Sequence, residues 1–302
     1  MPNELKMRNS ILVIIVAYNS MKWADKCYHS LHTSSVPCDV LTIDNGSTDG
    51  TQDYIRKNFP EVELLETGEN IGFGRANNIG LQKALDEGYE YVYLLNQDAW
   101  VMQNTFEILI SVSKKYDEFG VFSPMQMKAD EQHLDHNFAL NIPGPQQSPY
   151  LLEDMLFNRC NDVYSVGFAQ AAHWLITKKC LKIVGGFSPT FPHYGEDTNY
   201  LQRVLYHHLK IAMVPLARAV HDRNDPNWGP KKLSYIHYYI NPLVELSNPL
   251  GKNSIVKVIL KALKSRMGIR IKYAYRILKE RSSIKENYMR SVSGVGAFLE
   301  KT

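Results

Sequence analysis

The sequence predicts an α/β fold, a mostly parallel mixed sheet flanked by helices, with a helical basic appendage at its C-terminal end. Three observations carry this. Short β-branched runs alternate with stretches of helical period over the first 125 residues. Polar clusters stand at the carboxyl ends of several of those runs. From Lys252 onward thirteen Lys and Arg face three Glu, while the rest of the chain carries a net charge of −7.

Ile11–Ala17 is continuously apolar and β-branched, as a strand covered on both faces must be. It ends at Tyr18-Asn19-Ser20, with Ser20 placed to cap a helix reaching about Ser34. Asp39–Asp44 reads as the second strand, closing on the turn cluster Asn45-Gly46-Ser47-Thr48-Asp49-Gly50 before a helix over Thr51–Asn58. Val62–Leu65 and Tyr91–Leu95 read as strands around a helix at Gly74–Glu87. Asn104–Tyr116 reads as a helix and Gly120–Ser123 as a short strand. Over Ala129–Asn161 the period is lost and Pro143, Gly144, Pro145 and Pro149 appear, so a mobile loop is expected. Order returns over Val163–Thr177, with helices at Lys178–Val184 and Asp197–His208 and a strand at Ile211–Pro215. From Lys231 the pattern is helical and basic, broken by Pro242 and Pro249.

Hydrophobic residues at 44% and charged residues at 22% suit a globular chain with a normal core. The 18 Tyr and 11 Phe serve either core packing or sugar-binding surfaces. Cys27, Cys38, Cys160 and Cys180 form no C-x-x-C pair and read as reduced, structural thiols. The N-terminal apolar run is too short to span a bilayer, lacks a signal cleavage site, and no window of 18 apolar residues occurs elsewhere. A cytoplasmic protein, peripheral at the inner face of the cell membrane, is therefore expected.

In open α/β sheets ligands bind at the carboxyl ends of the strands. Here those ends read Tyr18-Asn19, Asp44-Asn45 and Asn96-Gln97-Asp98. The first turn is Ala-Tyr-Asn-Ser, so the G-x-G-x-x-G dinucleotide cradle is absent. The order of blocks is more specific. Ile43-Asp44-Asn45-Gly46-Ser47-Thr48-Asp49-Gly50-Thr51, Asn70-Ile71-Gly72-Phe73-Gly74-Arg75-Ala76-Asn77-Asn78-Ile79-Gly80, Leu94-Leu95-Asn96-Gln97-Asp98, Gly195-Glu196-Asp197 and the late His221 follow in sequence. Together they resemble the inverting family 2 glycosyltransferases of the GT-A fold, in their rhamnosyltransferase-like flavour.

The resemblance implies a GT-A catalytic domain over residues 1–225. Its nucleotide-sugar half would cover 1–125, its acceptor half 160–225 and a mobile loop 129–161, with the helical basic region at 231–302. It implies transfer of a sugar from a UDP, dTDP or GDP type donor to a glycan or lipid-linked acceptor in bacterial surface polysaccharide synthesis. Nucleotide contacts would come from Ala17, Tyr18, Asn19, Asp44, Asn70, Gly72, Arg75, Asn78, Asn96 and Gln97. Tyr18 stacks on the base or caps the core; Asp44 accepts from the base or closes an Asx turn; Arg75 meets the diphosphate or solvent. Gly72 and Gly74 let the backbone approach a phosphate or ribose.

Asp98 matches the metal position, and a divalent cation, Mn²⁺ or Mg²⁺, needs only one or two carboxylates beside substrate phosphates. Gln97 departs from the family's acidic or Asn-Pro-Asp pattern. His221 ligates the metal or donates to the β-phosphate. Asp197 matches the catalytic base, with Glu196 positioning acceptor or metal; the alternative is an acidic pair on a helix dipole. Trp174 and His193 would line the acceptor site.

The basic series over residues 252–290 suits an anionic membrane surface, or an apolar stripe packed on the catalytic domain or a second subunit. No nucleic-acid motif is present, and a homo-oligomer is compatible with the sequence. The competing functions are a sugar nucleotidyltransferase, which lacks its Gly-rich basic loop here, and a catalytically silent glycan-binding scaffold.

Overall fold

In the computed structural model the described residues are 9–142, 148–223, 230–251, 254–263, 268–293 and 296–299. Strand β1 (Ile11–Ala17) pairs in parallel with β2 (Asp39–Asp44) on one side and β4 (Tyr91–Asn96) on the other. Outside β2 lies β3 (Glu63–Glu66), also parallel. Helices α1 (Met21–His32), α2 (Thr51–Asn58) and α3 (Phe73–Asp86) make the crossovers. The β-branched runs are buried because helices cover both faces of this half.

The second half turns the sheet mixed. After the short β5 (Ala99–Val101) and α4 (Thr105–Lys115) come β6 (Phe119–Met127), β7 (Tyr164–Val166), β8 (His173–Thr177) and β9 (Lys210–His221). The order is β3-β2-β1-β4-β8-β6-β9-β5, with β7 on β9. Strand β8 runs antiparallel to both β4 and β6, and β5 antiparallel to β9. Strands β6 and β9 are longer than their apolar cores suggest, so His221 ends β9 rather than following it.

The expected mobile loop is corrected. Among its described residues are α5 (His136–Leu140) and α6 (Leu151–Leu156). Asp135 accepts from Phe138 N at 2.7 Å as the cap of α5, and the Tyr164 hydroxyl donates to Asp154 at 2.7 Å. Phe138 and Leu151 enter the main core. Pro143, Gly144 and Pro145 lie outside the described residues. The layer is completed by α7 (Lys178–Val184) and α8 (Glu196–Tyr206).

The C-terminal helices are present and seated on this layer. They are α9 (Pro230–Tyr235), a π-helical turn (Ile236–Ile240), α10 (Asn241–Ser247), α11 (Ile255–Leu263), α12 (Gly268–Lys279) and α13 (Arg281–Val292). Pro242 does not break the chain there: helical backbone runs on from Pro230 to Ser247, and the π-helical turn just before the proline shifts the hydrogen-bond ladder where it supplies no N–H. Tyr239, Ile240, Leu243, Ile277 and Ile284 form a third core with Phe191. Asn287 donates to Thr190 at 3.0 Å, Gly186 N donates to Ala297 O at 2.8 Å, and Leu299 joins the main core. A Cβ on Gly185 would sit 2.0 Å from Ala297 O, so the tail and that turn fit only with glycine. Lys252, Lys264 and Arg266 of the basic series lie outside the described residues. Among the described residues no helix is long and apolar enough to cross a membrane.

Candidate active site

The carboxyl ends of β1, β2 and β4 meet as expected, and their polar residues first hold one another. Ala17 O accepts from Asn45 N at 2.7 Å. Asn19, at φ 53°, receives Thr48 N on its side-chain oxygen at 2.8 Å, while its own N–H donates to Ser47. Gln97 spends its amide on the backbone of Tyr18: its Oε1 accepts from Tyr18 N at 2.6 Å and its Nε2 donates to Tyr18 O at 3.2 Å. The Tyr18 ring is 46% exposed, so it does not cap the core.

Asp44 is 1% exposed. Its Oδ2 accepts from Gly46 N, Ser47 N and Gln52 Nε2 at 3.2, 3.0 and 2.9 Å. The Asx turn therefore exists, yet it uses one oxygen. The Oδ1 atom is buried without a partner among the described residues. A buried carboxylate oxygen left bare costs free energy until a donor reaches it.

Three of the expected nucleotide contacts hold protein partners in the structure. Asn78 clamps the backbone of Phe187, accepting from its N–H at 2.6 Å and donating to its carbonyl at 2.9 Å. Asn70 Oδ1 accepts from Asn45 Nδ2 and Gly72 N, which ties the loop to the end of β2. Gly72, at φ +88°, would push a Cβ to 2.9 Å from Pro192 O, so its close approach is to protein backbone. Arg75 is exposed on the first turn of α3.

Beyond these residues lies a cavity of about 530 Å³. Of the expected residues it unites Asn96, Asp98, His193, Glu196, Asp197 and His221. Register explains the Asp98–His221 proximity: Ala99 pairs with His221, and Asp222 N donates to Asp98 O at 2.8 Å. His221 Nε2 then lies 3.4 Å from Asp98 Oδ1. Arg223, a donor only, reaches His221 Nδ1 at 2.9 Å, so the ring proton sits on Nε2. Arg223 also donates to Gln170 at 2.7 Å and lies 3.1 Å from the Asp135 carboxylate. Burial alone would raise the Asp98 carboxyl; the hydrogen bond from His221, with the charge of Arg223 behind it, brings it below the usual range.

Opposite, Gly195 takes φ +86° and delivers Glu196 and Asp197 as the first residues of α8. A Cβ on Gly195 would meet Val244 at 2.8 Å and Ile240 at 2.9 Å, so the C-terminal helices buttress this turn. Burial, and then the charge of Asp197, push the Glu196 carboxyl up to about 8. Glu196 Oε2 is buried with no partner among the described residues. Burial raises Asp197 as well, against the hydrogen bonds it accepts from Thr198. Two adjacent carboxyls pressed upward do not both ionise near neutral pH, which leaves one proton on the pair.

Trp174 is corrected outright. It is 0% exposed, stacked on Phe187 at 6.3 Å and against Tyr200 at 5.6 Å. Alternation along β8 sends its side chain into the core. The cavity is lined instead by Phe73 of the Asn70–Gly80 block and by residues the motifs did not include, among them Gln170, Tyr194, Arg223 and Lys232. Arg223 stands two residues beyond His221, and that cation at a strand end was the available signal. Lys232 comes from α9, and no local pattern joins it to the site.

Asp98 and His221 offer two donors on one side of the cavity, and among the described residues no three or more His, Cys, Asp or Glu are grouped closely enough to hold a metal ion by themselves. Such a pair suits a cation that takes its other ligands from phosphate oxygens. A metal on Nε2 needs the ring proton on Nδ1, so Arg223 must then release that nitrogen while keeping Gln170 and Asp135.

The glycosyl transferase family 2 model matches residues 12–163, from β1 to the residue before β7. The chain belongs to that family. It is 24% identical over 245 residues to an N-acetylglucosaminyl-diphospho-decaprenol L-rhamnosyltransferase of Mycobacterium tuberculosis, covering 72% of this chain and 77% of that one. A dTDP-rhamnosyl transferase, RfbF, of Shigella flexneri is 22% identical over 220 residues, covering 72% and 71%. Among solved structures, S. aureus TarS superposes with a TM-score of 0.53 at 12% identity, over 93% of this chain and 43% of TarS. The mannosyltransferase PcManGT from Pyrobaculum calidifontis, in complex with GDP-Man and Mn²⁺, gives 0.54 at 17% identity, over 95% and 75%. The fold is GT-A, and the family's chemistry is glycosyl transfer.

Proposed function

We propose that this glycosyltransferase moves a sugar, with inversion, from a UDP, dTDP or GDP type donor to a hydroxyl of a glycan or lipid-linked glycan acceptor in bacterial surface polysaccharide synthesis. One observation carries the reading: Asp98 and Asp197, ninety-nine residues apart in the chain, line the same cavity. Both rhamnosyl-transferring relatives support the substrate class. A nucleotide-sugar donor is a cytoplasmic metabolite class, which supports action on that side of the membrane.

Asp44 receives the base N–H on its bare Oδ1, and Tyr18 lays its exposed ring on the base. Gln97 positions that ring by holding the Tyr18 backbone. Arg75 meets the diphosphate. Asp98 and His221 would hold Mn²⁺ or Mg²⁺, and a cation there screens the charge that builds on the departing diphosphate. Glu196 retains the shared proton and donates a hydrogen bond to a sugar hydroxyl. Asp197 remains the carboxylate. It takes the acceptor hydroxyl's proton as that oxygen bonds to the anomeric carbon, while the bond to the diphosphate breaks on the opposite face. Lys232 and His193 line the acceptor side. The 231–302 region thus completes the acceptor half of the catalytic domain instead of hanging from it.

Replacing Asp197 by Asn keeps size and removes the base. Transfer should fall about 10²–10⁴-fold with donor binding retained, measured by product release and by calorimetry. Unchanged turnover would overturn the assignment.

A further inference from the structure

A second cavity, of about 470 Å³, opens between α10, α11 and α13, away from the catalytic residues. Leu246, Ile255 and Ile284 make its apolar wall, and Tyr288 lies beside them. Arg281 and Lys285, one turn apart on α13, also line it, and both are exposed. Among the described residues no carboxylate lines this cavity, and neither cation is in an ion pair. Two acids adjoin these cations in sequence: Glu280 is committed to Arg276 and the Tyr239 hydroxyl, and Glu286 is exposed and does not line the cavity.

Two free cations over an apolar cavity suit an anion with an apolar body. A phosphate ester matches the guanidinium fork, and the first turn of α13 adds the positive end of its dipole. The volume falls within the range of ordinary small-molecule sites. Nearby in the chain, Leu250, Val256 and Leu260 are each at least half exposed, with Lys257 among them. Apolar side chains bare to solvent beside cations are what a bilayer interface accommodates.

We propose that the α10–α11–α13 cavity is a headgroup site for an anionic phospholipid, which seats the C-terminal helices on a membrane. The phosphate meets Arg281 and Lys285, the start of the acyl chain lies along Leu246, Ile255 and Ile284, and Leu250, Val256 and Leu260 dip into the interface. This surface is independent of Asp98 and Asp197, so it stands or falls apart from the catalytic reading.

The test uses the full chain and sedimentation with vesicles. Phosphatidylglycerol-containing vesicles should bind and pure phosphatidylcholine vesicles should not. Arg281→Glu with Lys285→Glu should weaken binding at least about tenfold. Lys272→Glu with Lys279→Glu, the same charge change on α12, should cost less than about threefold. Nucleoside diphosphate binding should be unchanged in both, which shows that they fold; Arg281→Gln with Lys285→Gln replaces the reversed pair if it does not. In calorimetry, a short-chain phosphatidylglycerol below its micelle concentration should bind and inorganic phosphate at equal concentration should not. Equal losses from the two charge reversals, binding to phosphatidylcholine alone, or phosphate binding as tightly as the lipid would each overturn the proposal.

Discussion

His221 Nε2 faces Asp98 Oδ1 at 3.4 Å while Arg223 occupies the other ring nitrogen. The pair is held by the backbone, since β5–β9 pairing fixes both residues. It follows that Asp98→Ala should leave the fold intact and remove the metal's effect on ligand binding. In calorimetry, Mn²⁺ should tighten nucleoside diphosphate binding to the parent protein, and that increment should vanish in the variant. Binding that ignores metal and chelator in the parent would count against Asp98.

Asp44 tests the base contact. Its three donors all converge on Oδ2, so Asp44→Asn can keep them with its oxygen while placing an NH₂ where Oδ1 was bare. That group faces a base N–H donor to donor. A hydrogen bond to a charged group contributes about 1.5–3 kcal/mol, so nucleoside diphosphate affinity should drop roughly 10- to 100-fold. The melting temperature should change little. Equal affinity would return Asp44 to a purely structural turn residue.

The same loop shows how far the sequence reached. The strand ends, Asp98, Asp197 and His221 were legible because each sits at a motif whose backbone setting is local: a strand terminus or a helix start. What was not legible is which polar side chains are already spoken for. Asn78 and Gln97 match the nucleotide blocks as well as Asp44 does, yet their amides close on Phe187 and Tyr18, 109 and 79 residues away. An amide clamped in both directions has its orientation fixed by the protein, with one donor and one acceptor already spent. Likewise the cations Arg223 and Lys232 enter the cavity from the end of β9 and from α9, positions fixed by tertiary packing. Pro242 misled because the π-helical turn before it lets the helix run on through a residue that ordinarily breaks one, and no local pattern announces that turn.

Glu196 should make stability pH-dependent. Its carboxyl is raised from an ordinary 4.5 to about 8 in the folded protein. Between those values the folded state holds a proton that the unfolded state has lost. Its contribution is therefore complete below pH 4.5 and is lost as pH rises through about 8. The slope from one such group is at most about 1.4 kcal/mol per pH unit. Urea unfolding from pH 6 to pH 9 should show the midpoint falling, and Glu196→Gln should flatten that trend. A midpoint that rises over this range in the parent, or a trend unaltered in the variant, would assign the proton elsewhere.

Trp174 separates a core residue from an acceptor contact. Its ring packs against Phe187 and Tyr200, with no exposed surface, and its indole N–H has no partner among the described residues. Truncation to Ala removes a large apolar volume that rigid neighbours on β8 and α8 do not refill, at a cost of about 3–5 kcal/mol. Phenylalanine keeps most of the packing and also deletes the unsatisfied N–H, so Trp174→Phe should cost far less than Trp174→Ala. At a temperature where both are folded, the KM for acceptor should match the parent in each. An acceptor KM that rises in Trp174→Phe while stability holds would put the indole back at the sugar, and would require the Phe187–Tyr200 wall to open during turnover.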